Sequence, residues 1–239
     1  MADPPCARMA TDSLSDMTAN LRVIIEVGKK ERRVVAGAMD WPGLDRWGKT
    51  DDLAIEKLMS YLPRYAGVAK LAGLAKKFTL HHDVEIVERV LGSGSADYWG
   101  IAHVPSEIER EVLSPAELER RLALLRACWS YFDATAERVS AELRPRPRGG
   151  GWTRDELIRH VHLNEPEQFT RKVEVRTPRE FMLRPDGRAD HREATLEAIR
   201  GYNAVGKAAR SWPIQFLIRR IAHHAMDHAW EMEDRDLSS

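Results

Sequence analysis

Long apolar runs are what this chain most clearly lacks: none approaches the roughly 18 residues needed to span a bilayer, so a membrane-crossing helix is not expected. Charge of one sign is lacking too. Lys plus Arg and Asp plus Glu number 37 each, so no global field draws the protein to nucleic acid or an anionic membrane. Cysteine is nearly absent, and Cys6 and Cys128 lie far apart in sequence, which argues against a disulfide framework and for the reducing cytoplasm. The opening MADPPCARMATDSLSDMT has neither a basic nor an apolar stretch of the secretory kind, and residues 1–18 read as a disordered leader. The remaining 43% hydrophobic content suffices for a sizeable core, and 239 residues fit two modest domains.

The pattern divides the chain. LRVIIEVG and RVVAGAMDW flank a polar KKER turn and predict a hairpin, with a third strand at DVEIVERV followed by a Gly/Ser turn at GSGSADYWG. Between hairpin and third strand, Pro42, Gly43 and Gly48 are expected to break any regular element. Thr50 then caps a helix carrying Ile55, Leu58, Met59 and Leu62 at helical spacing, which Pro63 kinks or ends. This predicts a small sheet covered by one helix over residues 19–105. Trp41, Trp47, Tyr61 and Tyr65 can serve its core, its contact with the rest of the chain or a dimer interface.

From Ser114 the period becomes helical, predicting four helices over residues 106–239 and an α+β fold class for the whole. Ser114, Pro115 and Glu117 open the first with a capping box, and Leu118, Leu122, Leu125, Trp129, Phe132, Ala136 and Val139 form its apolar face. Thr153 and Glu156 cap the second, Asp190 and Glu193 the third, which runs to about Arg210, and Pro213 opens the fourth. Two shorter and two longer helices with irregular links describe a four-helix bundle.

The last helix carries IRRIAHHAMDHAWE. His224 and His228 stand four residues apart, about 40° around the axis, so both imidazoles leave one face and can bind one ion. A third ligand is available on the second helix, where Leu157, His160, Val161 and Asn164 share a face while His162 points about 200° away. If the faces meet, three neutral imidazoles converge with a coordination position left open, as in a catalytic metal site. The competing reading is a hydrogen-bonded polar cluster without metal. His223 reads as a solvent-side residue pairing with Asp227, and His81, His82 and His191 lie in loop-like contexts where nothing converges. Arg219 and Arg220, one turn earlier, can receive an anionic substrate group or stand as solvated charges.

GWTRDELIRHVHLNE and HHAMDHAWE resemble the second-helix and fourth-helix motifs of the DinB-like superfamily, over Ser114 to Asp236. The resemblance implies a four-helix bundle whose divalent metal is held by His160, His224 and His228. It further implies a small-molecule substrate, a low-molecular-weight thiol as cosubstrate of a transferase or isomerase, and a homodimer. Metal-assisted hydrolysis would use the same parts. A non-catalytic ligand-binding or sensor protein with a structural metal or none is the alternative. Zinc, nickel and iron all suit imidazole. Where the family has Arg-Gly-Gln after the last ligand, this chain has Ala229, Trp230 and Glu231. Glu231 is the candidate catalytic residue, able to orient a ligand imidazole, act as a base or become a fourth ligand. The segment VVAGAMDWPGLDRWGKTDDLAIEKLMSYLPRYA is similar to the HicB-like antitoxin fold, with Asp52 and Leu53 departing from its helix motif; no helix-turn-helix or basic stripe accompanies it, so nucleic acid is not an expected partner.

Overall fold

The computed structural model describes residues 20–78, 83–146 and 150–238; the expected leader, Cys6, His81 and His82 lie outside the described residues. The fold is α+β, with a four-stranded sheet and eight helices among the described residues. Strand β1 (Leu21–Val27) pairs antiparallel with β2 (Val34–Ala38), Val23 opposite Ala38 and Val27 opposite Val34, as the hairpin pattern predicts. The stretch expected to be irregular contains a strand, β3 (Asp45–Gly48), which places Asp45 opposite Gly37 and Gly48 opposite Val34 on β2. Pro42 and Gly43 mark the turn before it. Gly43 takes φ 96°, which a side chain would resist. Apolar alternation could not reveal β3, because its buried side chains include the charged Asp45 and Arg46.

Helix α1 (Asp51–Ser60) starts at Thr50, whose hydroxyl accepts the Leu53 N–H at 3.3 Å. Pro63 does end it, but by opening a further helix, α2 (Leu62–Leu71), within the first turn where proline is tolerated. Helix α1 covers the sheet face bearing Val23, Ile25 and Ala36, and α2 carries that core on to the helices that follow. Strand β4 (Val84–Leu91) lies parallel to β1 at the edge, giving the order β3-β2-β1-β4. The expected Gly/Ser turn is instead a short helix, α3 (Gly94–Trp99), capped by Ser93. Asp97 in α3 accepts backbone N–H groups of Lys30 at 2.7 Å and Arg32 at 2.9 Å, clasping it to the β1–β2 turn. The next segment crosses the second sheet face, where the buried Glu26 carboxylate on β1 accepts the N–H groups of His103 at 2.8 Å and Val104 at 3.0 Å. Burial raises the Glu26 pKa and these bonds oppose the rise, so the strand's one buried carboxylate fixes an otherwise irregular segment.

Four long helices make the other half. Helix α4 (Pro115–Arg138) is capped by Ser114, but Glu117 turns to Arg120 and Arg121 rather than closing the expected capping box. Helix α5 (Arg154–Asn164) has the predicted box between Thr153 and Glu156, and then widens into a π turn, Glu165–Phe169, around Pro166, which has no N–H to continue the regular ladder. A short helix α6 (Arg179–Met182) follows. Helix α7 (Pro185–Ala204) begins before Asp190 and Glu193 and ends short of Arg210. Pro185 at its first position presets the helical φ, which outweighs the side-chain cap expected later. Helix α8 (Ile214–Arg235) follows Pro213 as expected.

Helix α8 lies between the two halves. On one side Tyr131 and Arg138 of α4 reach Glu233; on the other, Arg219 meets Asp45 of β3, Arg46 reaches Asp227, and Arg64 of α2 reaches Glu233 and Asp234. Arg46 is stacked between the rings of Tyr61 and Trp230, about 4.0 Å from each centroid. Trp41 and Tyr65 are core residues packed with Phe78, whereas Tyr61 meets the helical half through Trp230. The boundary drawn at residue 105 falls in an irregular segment, and one apolar core runs across it from β1 and α2 to α4 and α8.

Candidate metal centre

The faces of α5 and α8 do meet. His160 Nε2 lies 3.2 Å from His224 Nε2, and one ligand nitrogen from each of His160, His224 and His228 falls within 4.8 Å of the others. Tetrahedral bonds of 2.0–2.1 Å to zinc set neighbouring nitrogens about 3.3 Å apart, which the His160–His224 separation matches, and three imidazoles are a donor set suited to a first-row divalent ion. Ring centroids are 4.9 to 5.2 Å apart.

The surrounding shell aims these rings. Asn164, one turn beyond His160, places its amide nitrogen 2.9 Å from His160 Nδ1 and 3.0 Å from its carbonyl oxygen. Trp152 packs on His160 at 4.5 Å, and Phe169, swung inward by the π turn, packs on His224 at 5.3 Å. His228 Nδ1 lies 3.2 Å from Glu231 Oε2, which leaves Nε2 to face the other two histidines. The other oxygen of Glu231 accepts from Arg146 at 2.6 Å and Arg235 at 2.8 Å. Burial works against the Glu231 carboxylate, but the bonds from His228 and Arg146 outweigh it and hold its pKa down at about 2. Glu231 thus sits beside the triad with both oxygens engaged.

Burial, and then the neighbouring His228, pull His160 down to about 4; burial with His228 and His160 takes His224 well below the ordinary range. Both rings are therefore neutral near pH 7, the form that donates a lone pair. The three half-buried rings open onto a cavity of about 730 Å³, whose walls come from both halves: Trp99 at the end of α3 with Ile101 and His103 after it, and Trp152, Phe169 and Trp212 from the helical half.

Several other expectations are corrected. His223 is not on the solvent side: it is buried against β3, its Nδ1 3.8 Å from Asp45, while Asp227 pairs with Arg46. His191 is not in a loop; it is buried in α7 between Thr170 and Thr177, 3.6 Å from Glu165. Neither Arg219 nor Arg220 is a solvated charge. Arg219 is buried beside Glu109 at 3.2 Å, and Arg220 is 6% exposed and lines the cavity. For the three α8 residues the reason is shared: that helix is covered on nearly every side, so no stripe of it is left for water. His162 does point away, lying 3.9 Å from Asp133. Sequence reasoning passed over His103, Arg146, Lys172 and Trp212, which irregular segments or short turns bring to the cavity without any periodic signal.

Compared with family models, with curated proteins and with solved structures, the chain matches none.

Proposed function

We propose that this protein is a divalent-metal-dependent enzyme acting on a small molecule, with a four-helix bundle of the DinB-like type joined to a HicB-like αβ domain. The observation that carries the reading is the convergence of His160, His224 and His228 nitrogens within 4.8 Å at the floor of a large cavity. The group they would hold, zinc, nickel or iron, would lower the pKa of a thiol or a water molecule and polarise an electrophile. His224 and His228 supply two donors from one rigid helix. His160 supplies the third from α5, its ring set beside the Asn164 amide nitrogen, 2.9 Å from Nδ1. Glu231 accepts the Nδ1 proton of His228 and raises the basicity of that ring, a positioning role, and its salt bridges to Arg146 and Arg235 keep it ionised.

Elemental analysis of untagged protein loaded with zinc, nickel or iron tests this. About one equivalent per chain, lost in His224→Ala/His228→Ala while the helical circular dichroism is kept, is the expected result. Substoichiometric metal after every loading refutes the reading. Stoichiometric metal without turnover of thiol acceptors or esters leaves a ligand-binding protein in place of an enzyme.

A further inference from the structure

The cavity holds cationic groups that the metal centre does not use. Arg220 stands on α8 one turn before His224, about 6 Å along the axis at 1.5 Å per residue, and on the same side. It is buried, its Nε has no hydrogen-bond partner, and among the described residues no carboxylate lies within ion-pair distance of its guanidinium. Asp45 attracts it only from beyond ion-pair distance, and the other acids nearby are engaged elsewhere. Arg219 lies between Glu109 and Asp45, Asp227 is taken by Arg46, and Glu231 is taken by Arg146, Arg235 and His228. Lys172 lines the same cavity with its ammonium 4.1 Å from the Trp212 ring and, among the described residues, no carboxylate partner either. His103 packs edge-on against that tryptophan at 5.4 Å, and both cations act on its titration, which places the three near one another.

A buried guanidinium without an anion in contact is costly, and folds rarely keep one unless something else pairs with it. Arginine's planar fork suits a carboxylate or phosphate in two parallel bonds, and a lysine adds a point charge. Trp99, Ile101 and Phe169 add an apolar stretch of wall. We propose that Arg220 and Lys172 form an oxyanion-binding subsite, so that the substrate is a small carboxylate or phosphate monoester with an apolar body lying toward the His160, His224 and His228 centre. The proposal rests on the metal-centre reading only for the direction in which the reacting end points. It makes the segment after α3, pinned by Glu26, a specificity wall, and so gives the sheet half a share in the site.

The test uses the full chain and three probes of one shape, phenyl phosphate, benzoate and neutral benzamide, titrated by calorimetry at low salt. The two anions are expected to bind wild-type protein and the triad variant His224→Ala/His228→Ala with similar Kd, and benzamide to bind at least 10-fold more weakly. Lys172→Ala should weaken the anions by about 10-fold and Arg220→Gln by about 100-fold, the range of charge-assisted hydrogen bonds, with metal content unchanged in both. Phenyl phosphate binding more than 10-fold tighter than benzoate would identify the phosphate source, and the reverse the carboxylate. Should Arg220→Gln fail to fold, Lys172→Ala still decides. Anion binding indifferent to both substitutions overturns the subsite, as does anion binding lost only with the triad, which would assign it to the metal. Absence of metal with the anion results intact would sink the metal reading alone.

Discussion

Gly43→Ala measures how closely the sheet half is seated on α8. The turn after β2 enters the core with Gly43 at φ 96°, and a methyl group there would stand 3.1 Å from Met226 Cγ, 3.2 Å from Cys128 Sγ and 3.3 Å from the Ala222 carbonyl carbon. Two costs combine. A left-handed φ costs an L-residue about 1–2 kcal/mol, and overpacking against neighbours that include helix backbone costs about 1–3 kcal/mol more. The sum, about 2–5 kcal/mol, is a large part of the about 5–15 kcal/mol that holds a typical domain together. Gly73→Ala is the control, since its φ of 71° brings the same kind of backbone strain with nothing within 4 Å of the added carbon. Urea unfolding of both variants with unchanged m-value should show Gly43→Ala about 1–3 kcal/mol less stable than Gly73→Ala. Equal losses would refute the argument that this turn is sterically locked between α4 and α8.

Glu231→Gln should weaken metal binding by about 10-fold or more without altering the circular dichroism, because it removes the carboxylate that takes the His228 Nδ1 proton; an unchanged Kd for zinc by competition titration would show that Glu231 has no part in orienting the ring. Glu26→Ala should cost about 2–4 kcal/mol by stranding the buried N–H groups of His103 and Val104, and should speed hydrogen exchange at those two amides above all others. Glu165 gives a pH signature. Burial pushes its carboxyl up to about 7 from 4.5, so the folded state favours the protonated form, and the associated stability is full below pH 4.5 and is lost as pH rises through 7. Glu165→Gln, which keeps a partner for the Trp129 indole N–H, should therefore gain on wild type between pH 5 and 8.5, by at most about 3 kcal/mol at 1.36 kcal/mol per unit. Parallel stability profiles would contradict that assignment.

The caps and periods that predicted α4, α5 and α8 are local, and so they could be read from residues three or four apart. The triad was legible for the same reason: His224 and His228 share a face by helical geometry alone, and His160 stood on the apolar side of α5. Strand β3 was not legible, since Asp45 and Arg46 are buried by pairing with charges on α8 that lie over 170 residues away. His223 failed likewise. A stripe argument assumes that one side of a helix meets water, and α8 has no such side along most of its length. The cavity walls were hidden in a different way, because His103 is held by a distant carboxylate on β1, and α3 with its Trp99 by the clasp of Asp97 on the β1–β2 turn, rather than by any pattern of their own.

The π turn after α5 has a mechanical consequence. Packed against both halves, α8 carries His224 and His228 on one regular helix, whereas the helix bearing His160 loses its regular ladder one turn later, in the widened, proline-bearing Glu165–Phe169 coil. For the metal centre proposed above, His160 and Trp152 are then the jaw that would swing out for ion exchange, while the opposing pair stays fixed.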